Sequence, residues 1–565
     1  MNTLTSQKAN CKNCYLCLRV CPVKAIRFAG GQAEILPEEC IYCGACVDAC
    51  PQGAKQVESA ADRVRAMLSE GRVVASLAPS FVGGFPFDPF LLIPALKALG
   101  FAEVRETSEG AAVVSDEMAR LAEEGERDLL LTTCCPAVTN LFEKHYPELV
   151  DCLAPVATPM TVHARMLKEE NPENKVVFIG PCVAKIEEAK DVRANGADAV
   201  LTFKEVARMI EEAGIDLTSL TPAQPDGKGG GLARIYPTTS GILENLRARG
   251  DFGYHLIHAE GMDECYQIIC AIREGSLSHA IVEMSSCPGS CLGGPQLARP
   301  LSQRFKGRID VLAHADHAPA PVPAFETKVN LRFPYTDRKK VRPVPTEEEL
   351  TAILRSIGKE TKLDELNCTS CGYDSCRAKA EAVFQGKAEA EMCLPYLLES
   401  AQSMANVILD NTPNMILVAD SDYKLVELNH AAQQFLGLTR SQGLTHYIYE
   451  FFEISDFEYV LSTGKSITDK KVTLSDGSVA VETLTYLPKR QSVMAVLRDV
   501  TAEEEKERQL YKLRVDTMEM AQKVISRQMV AAQEIASLLG ETTAETKSTL
   551  TKLKDMILSG DEAAE

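Results

Sequence analysis

One cysteine pattern occurs twice within the first 51 residues, and it restricts the possible folds more than any other feature. Cys11, Cys14, Cys17 and Cys21 precede Pro22, and Cys40, Cys43, Cys46 and Cys50 precede Pro51. Each run reads C-x2-C-x2-C-x3-C-P. Thiols at this spacing converge in fours, as a 4Fe–4S cube requires; a four-thiolate zinc site is the alternative. The chain holds 20 cysteines in 565 residues. Residues 1–20 lack a basic-then-apolar leader layout. The apolar stretch from Phe90 to Ala102 is too short to span a bilayer and carries Lys97. The expected location is therefore cytoplasmic, where so many cysteines point to metal ligation rather than a disulfide framework. A net charge of −19 disfavours nucleic acid and anionic membranes as partners.

A chain of this length divides into several domains. Between residues 60 and about 312, short apolar runs alternate with helical patterns. Arg72–Leu77 and Lys175–Ile179 read as buried strands, and Glu117–Glu124 and Phe203–Glu212 as amphipathic helices. That alternation predicts a mostly parallel α/β core, with loop cysteines at strand ends. Three such loops stand out: Thr132-Thr133-Cys134-Cys135-Pro136, Gly180-Pro181-Cys182-Val183-Ala184-Lys185, and the run from Glu283 to Gly294 that contains Cys287 and Cys291. Four thiols from these loops can close on one cube. Cys152, Cys265 and Cys270 match no motif and are expected to pack as ordinary core cysteines.

The repeated N-terminal pattern resembles bacterial two-cluster ferredoxins. That resemblance implies a crossover of the fourth cysteine: Cys11, Cys14, Cys17 and Cys50 around one cube, Cys40, Cys43, Cys46 and Cys21 around the other. Together the three later loops resemble the active-site signature of iron-only (FeFe) hydrogenases. This resemblance implies that Cys135, Cys182, Cys287 and Cys291 hold a cube. Cys291 would also bridge to a two-iron subcluster with carbonyl and cyanide ligands, the H-cluster. It implies that Cys134 passes protons, its thiol being exchangeable near neutral pH, and that Lys185 hydrogen-bonds a cyanide. A spare core cysteine and a surface lysine are the plainer readings of those two. Glu117 and Thr158 fall where the family keeps its proton relay, although the second acidic position is Met118. Glu117 on a helix surface is the alternative. Where the family's turnover enzymes carry methionine, methionine and tryptophan, this chain has Gly180, Ser285 and Val138, so the pocket should differ.

Residues 314–346, rich in proline and basic side chains, are expected to form a linker. Beyond it, Cys368, Cys371, Cys376 and Cys393 resemble a small 4Fe–4S module, with zinc as the alternative. Residues 401–501 resemble a PAS sensor domain ending in Asp499-Val500-Thr501; His430 is expected to be structural rather than a haem ligand. From 502 onward, Leu510, Leu513, Thr517, Met520 and Val524 keep heptad-like spacing, which slips before Ile535, Leu538 and Leu539. The pattern resumes at Leu550, Leu553 and Ile557 after a polar interruption at Gly540–Thr543. This predicts a homodimeric coiled coil, or a helix packed on its own PAS domain.

The expected architecture is multidomain, α+β and α/β. A ferredoxin-like domain spans 1–60, an α/β hydrogenase H-cluster domain 61–313, a linker 314–346, a small 4Fe–4S domain 347–400, a PAS domain 401–501 and a helical coiled coil 502–565. The resemblance implies a low-turnover, hydrogen-reactive sensor that takes H2 to two protons and two electrons. It would signal through its PAS domain to an unidentified downstream protein. Alternatives are a catalytic hydrogenase exchanging electrons with a ferredoxin-type partner, and an iron–sulfur assembly protein lacking the two-iron unit.

Overall fold

The computed structural model describes residues 2–315, 325–539 and 543–558. The chain forms two compact units, Met1–Leu397 and Leu398–Glu565.

In the first unit, Leu4–Ser6 pairs antiparallel with Lys55–Val57, and Ile26–Ala29 with Gln32–Ile35. Short helices Leu16–Val20 and Ala45–Asp48 carry cysteines of the two repeats, and Gly44 before the second sits at φ 81°. A Cβ there would meet Pro295 at 2.6 Å, so glycine lets this loop press against the later cysteine loops.

The α/β core is parallel, as expected, and is divided between two sheets. One orders Glu103–Glu106, Val73–Leu77, Lys175–Gly180 and Ala199–Thr202; the other orders His255–Glu260, Ala280–Ser285 and Leu129–Leu131. Val73–Leu77 is buried along its whole length, as expected of a parallel strand covered on both faces. Helix Phe203–Glu212 has the expected bounds and starts with a Thr202/Glu205 capping box. Glu117–Glu124 is only the last part of helix Ser108–Glu124. Its first half was hidden by Gly110, where a Cβ would meet Pro159 O at 2.6 Å because the next helix packs so closely.

The expected linker is not free over 325–346. Phe333 is buried and its N–H donates to Pro155 O at 3.1 Å, while the Tyr335 hydroxyl donates to Val156 O at 3.1 Å. Arg338 pairs with buried Glu143 at 3.2 Å. Aromatic anchors and arginines thus turn a proline-rich stretch into a strap across the α/β core. Residues 316–324 of that linker lie outside the described residues.

The small cysteine module packs on the ferredoxin-like part. The Phe28 N–H donates to Lys387 O at 2.9 Å, and the Gly30 N–H donates to Glu389 Oε1 at 2.7 Å. Glu39, next to Cys40, accepts from Lys387 at 2.6 Å and from Arg342. Burial pushes the Glu39 carboxyl up, but these two cations outweigh it and hold the group below its usual range.

In the second unit, five antiparallel strands run in the order Leu425–Leu428, Met415–Ala419, Ser492–Asp499, Val479–Leu487, Ile467–Thr473. Asp499 accepts from the Thr501 N–H at 2.9 Å and the Thr501 hydroxyl at 2.6 Å, which caps helix Thr501–Leu539. His430 is exposed and pairs with Gln434 at 2.9 Å, the structural role expected of it. Leu510, Leu513, Met520, Val524 and Ile535 are exposed along the long helix, so they do not pack on this chain's own PAS sheet. A second helix, Thr543–Leu558, carries the exposed Leu553. Positions 540–542 and the side chains of Leu538, Leu539 and Ile557 lie outside the described residues.

Lys387→Met would strip one of two cations from buried Glu39. We expect a stability loss of about 1–3 kcal/mol, read as a lower urea midpoint. Glu39→Gln combined with Lys387→Met should cost less than the two single effects added together.

Candidate iron–sulfur and active-site centre

The three cysteine loops leave the C-terminal ends of three parallel strands: Leu129–Leu131, Lys175–Gly180 and Ala280–Ser285. The Thr132 N–H donates to Val282 O at 2.9 Å and the Thr133 hydroxyl to Val156 O at 2.8 Å, fixing the first loop. Cys135 then caps helix Pro136–His145, with proline at its first position. In the third loop Gly289 has φ 82°, and a Cβ on Gly293 would meet Pro288 O at 1.9 Å. Only glycine permits that fold-back, which brings Cys291 round to the side of Cys287.

The result is one mostly apolar cavity lined by Cys134, Cys135, Cys182, Lys185, Cys287 and Cys291. Burial pushes the Cys182 thiol up to about 11 and holds Cys287 and Cys291 well above their usual range. These three thiols, held protonated in an apolar space, gain most by yielding their protons to a cationic cluster, and with Cys135 beside them the donor set fits a cube. Cys43 of the ferredoxin-like part lines the same cavity.

Burial also pushes the Cys134 thiol up to about 12, so it holds a proton throughout the neutral range. Lys185 is buried and pairs with Glu188 at 2.7 Å. Burial works against its charge, while Glu188 and Cys134 hold it above its ordinary value. It is not a surface lysine.

The expected relay residues fare differently. Glu117 does not reach the cavity; it turns to Arg120 at 2.7 Å, because helix Ser108–Glu124 presents Ala111 to the cavity instead. Thr158 is joined to the site through Glu188, to which its hydroxyl donates, as does that of Thr161 at 2.7 Å. Met118 is core. Two side chains that sequence reasoning missed also line the cavity. Glu283, inside the third motif, accepts from the N–H groups of Ile242 at 2.9 Å and Leu243 at 3.1 Å. Tyr236, in no motif, pairs its hydroxyl with that of Ser115 at 2.7 Å. Only the place of Glu283 at the start of the third motif could have signalled it.

Gly180 has no room for a larger residue: a Cβ would meet the Phe178 ring at 2.6 Å, and Phe178 itself lines the cavity. Val138 is buried in an adjacent core, and the Ser285 hydroxyl donates to Cys287 O at 3.4 Å. Cys265 is fully buried, but Cys270 is exposed and does not pack as a core cysteine, because helix Met262–Arg273 turns it outward.

The other cysteine sets also gather. Cys21 influences Cys40, Cys43 and Cys46, while Cys11 and Cys14 influence Cys17. Cys21 thus lies with the second repeat, as one half of the expected crossover has it. Cys368, Cys371, Cys376 and Cys393 line one small cavity with Lys379. Among the described residues no three His, Cys, Asp or Glu side chains converge closely enough for a single metal ion.

Burial raises the Glu283 carboxyl to about 7. It is therefore neutral below that pH and charged above it. Its infrared carboxyl band should fade as pH rises through about 7 and be missing in Glu283→Gln. In the unfolded chain the group ionises near its ordinary 4.5, so its contribution makes stability fall as pH climbs from 4.5 to about 7. The Gln variant should flatten that slope.

Comparison with known proteins agrees with this geometry. The family "Iron only hydrogenase large subunit, C-terminal domain" matches residues 71–252, which end before the third cysteine loop. A 4Fe-4S dicluster domain matches 3–51, a putative Fe-S cluster family 363–395, and a PAS fold 409–505. The periplasmic [Fe] hydrogenase large subunit of Nitratidesulfovibrio vulgaris is 28% identical over 363 residues, 52% of this chain and 86% of that protein. Cytosolic iron-sulfur assembly component 3 of Mus musculus is 22% identical over 348 residues, 48% of this chain and 73% of that protein. Among solved structures, an [FeFe]-hydrogenase HydA1 variant from Chlamydomonas reinhardtii matches with 21% identity and a TM-score of 0.37, covering 45% of this chain and 88% of that one. Among the described residues no helix is long and apolar enough to cross a membrane. Successive segments of this multidomain chain thus match an iron-only hydrogenase large-subunit domain, a 4Fe–4S dicluster domain and a PAS fold.

Proposed function

We propose that this protein is a hydrogen-reactive, FeFe-hydrogenase-type redox sensor. The observation that carries the reading is the single cavity at parallel strand ends, shared by Cys135, Cys182, Cys287 and Cys291 with Cys134 and Lys185. These four thiols would hold a cube, and the rest of the cavity would house the two-iron unit. When bound, that H-cluster supplies the reversible splitting of H2 into two protons and two electrons.

The chain's own groups supply charge and proton handling. Lys185, fixed by Glu188, holds a buried cation at the cavity wall, where it would stabilise an anionic ligand of the cluster. Cys134 holds a proton at its thiol, and Glu283 stands close enough to influence it, so Glu283 replaces Glu117 as the carboxyl of the route. Apolar walls exclude water. Electrons have a packed path, since one apolar core contains Cys135, Cys182, Cys43, Cys21, Cys17, Cys11 and Cys371. Cys393 immediately precedes helix Leu394–Asn411, which leads to the first PAS strand. Redox state at the cluster held by Cys368, Cys371, Cys376 and Cys393 would reach the PAS fold by that helix, and a downstream signalling protein would read the result. The absence of room at Gly180 favours slow turnover over bulk catalysis with an external ferredoxin-type carrier. The assembly-protein reading is kept by the likeness to the mouse component.

Infrared spectra of matured protein test this directly. Carbonyl and cyanide bands that shift on hydrogen exposure are expected; no bands despite competent maturation and full cube loading would leave an assembly or electron-carrier role. Cys134→Ala should keep the bands while hydrogen oxidation drops ~10²–10⁴-fold.

The exposed Leu510, Leu513, Met520 and Val524 make a second copy of this chain the partner of the long helix. Light scattering should find a dimer, and Leu513→Glu with Met520→Glu should give monomers.

A further inference from the structure

Ser286 stands between two of the four thiols and has no other task in the fold. It follows the strand Ala280–Ser285 and is 8% exposed. Its Oγ lies 3.8 Å from Cys135 Sγ in the first loop and 3.9 Å from Cys287 Sγ in the third. Among the described residues these two sulfurs are its hydrogen-bond partners.

We propose that the Ser286 hydroxyl donates a hydrogen bond to the thiolate ligands of the active-site cube and raises the cube's reduction potential. This rests on the reading that Cys135 and Cys287 hold a cube, but not on the two-iron unit. In the free protein the direction is open, since thiol and hydroxyl each carry a proton. Once both thiols give up their protons to bind iron, only the hydroxyl keeps one, so oxygen is the donor and sulfur the acceptor. A reduced cube carries one more negative charge, partly on its sulfurs, and accepts that bond more strongly. The reduced state therefore gains more than the oxidised one, and the potential rises.

The backbone on either side fixes the hydroxyl in place. Ser285 O accepts from the Gly261 N–H at 2.9 Å and from the Cys265 thiol at 3.6 Å. The Ser285 hydroxyl reaches Ser290 at 3.3 Å. Cys265, unassigned by any motif, is thus a positioning residue for the third loop. Ser286 also borders a second cavity lined by Cys21 and Cys43, placing it between the active-site cube and the neighbouring ferredoxin-type cube. A donor at that point adjusts the potential step between the two.

The test compares Ser286→Thr, which keeps the hydroxyl, with Ser286→Val, which has nearly the same shape without it. Both are made in the full chain with cubes reconstituted and no maturation. Redox titration followed by electron paramagnetic resonance should show one cube of the Val variant shifted to lower potential. The Thr variant should match the wild type, and the other three cubes should not move. Val and Thr variants that both titrate like the wild type, or that shift equally, would overturn the proposal. Iron equal to only three cubes in the wild type would overturn it together with the cube reading. Four cubes without carbonyl bands after maturation would sink the hydrogenase reading alone and leave this one standing.

Discussion

Everything at the centre of this molecule follows from the cost of burying thiols where strands end. Parallel strands covered on both faces stop at loops, and three of those loops deliver cysteines into one apolar space. A thiolate there has little water to solvate it, and burial keeps Cys182, Cys287 and Cys291 protonated. Iron reverses that balance by replacing the protons with positive charge. The loops must therefore be rigid without metal, and the Thr132, Thr133 and Gly293 contacts provide that rigidity through the backbone. The site is built before it is filled.

The second constraint is charge. Lys185 is the cation that faces the cavity, and Glu188 holds it by its far side, with Thr158 and Thr161 satisfying that carboxylate in turn. A lone buried ammonium would lose its proton; a paired one keeps it. The same logic applies at Glu39, which is held ionised next to Cys40 by Lys387 and Arg342. Both networks place a fixed charge near a cluster ligand, and both tie separate chain segments together. Electrostatic tuning and domain docking share the same side chains.

Cysteine spacing made the groups of neighbouring thiols and the module order legible, because cluster chemistry leaves little freedom in how thiols are placed. The PAS ending was legible for a similar reason: Asp499 and Thr501 make a cap that only those types make. Tertiary contacts hid the rest. Glu117 sits at a plausible distance along the chain, yet one helical step decides whether a side chain meets the cavity or Arg120. Tyr236 and Ser115 meet across 121 residues of sequence and carry no local pattern. The strap at 325–346 looked like a linker because its anchors, Phe333, Tyr335 and Arg338, are spread among prolines and lysines. Their partners lie far upstream at Pro155, Val156 and Glu143.

The exchange at Gly180 shows how a local departure reshapes the chemistry. The family resemblance places a methionine there, a flexible and polarisable side chain that adapts to its surroundings. Here the Phe178 ring, two residues earlier on the same strand, occupies that space, and a Cβ at Gly180 would meet it at 2.6 Å, so a larger residue would have to displace the ring. Residues two apart on a strand share a face, so the substitution keeps the volume and changes its character. A stiff aromatic edge replaces a movable thioether beside the cavity. With Ser285 hydrogen-bonded into the loop rather than packed as an apolar chain, two sides of the cavity become more rigid than the resemblance implies.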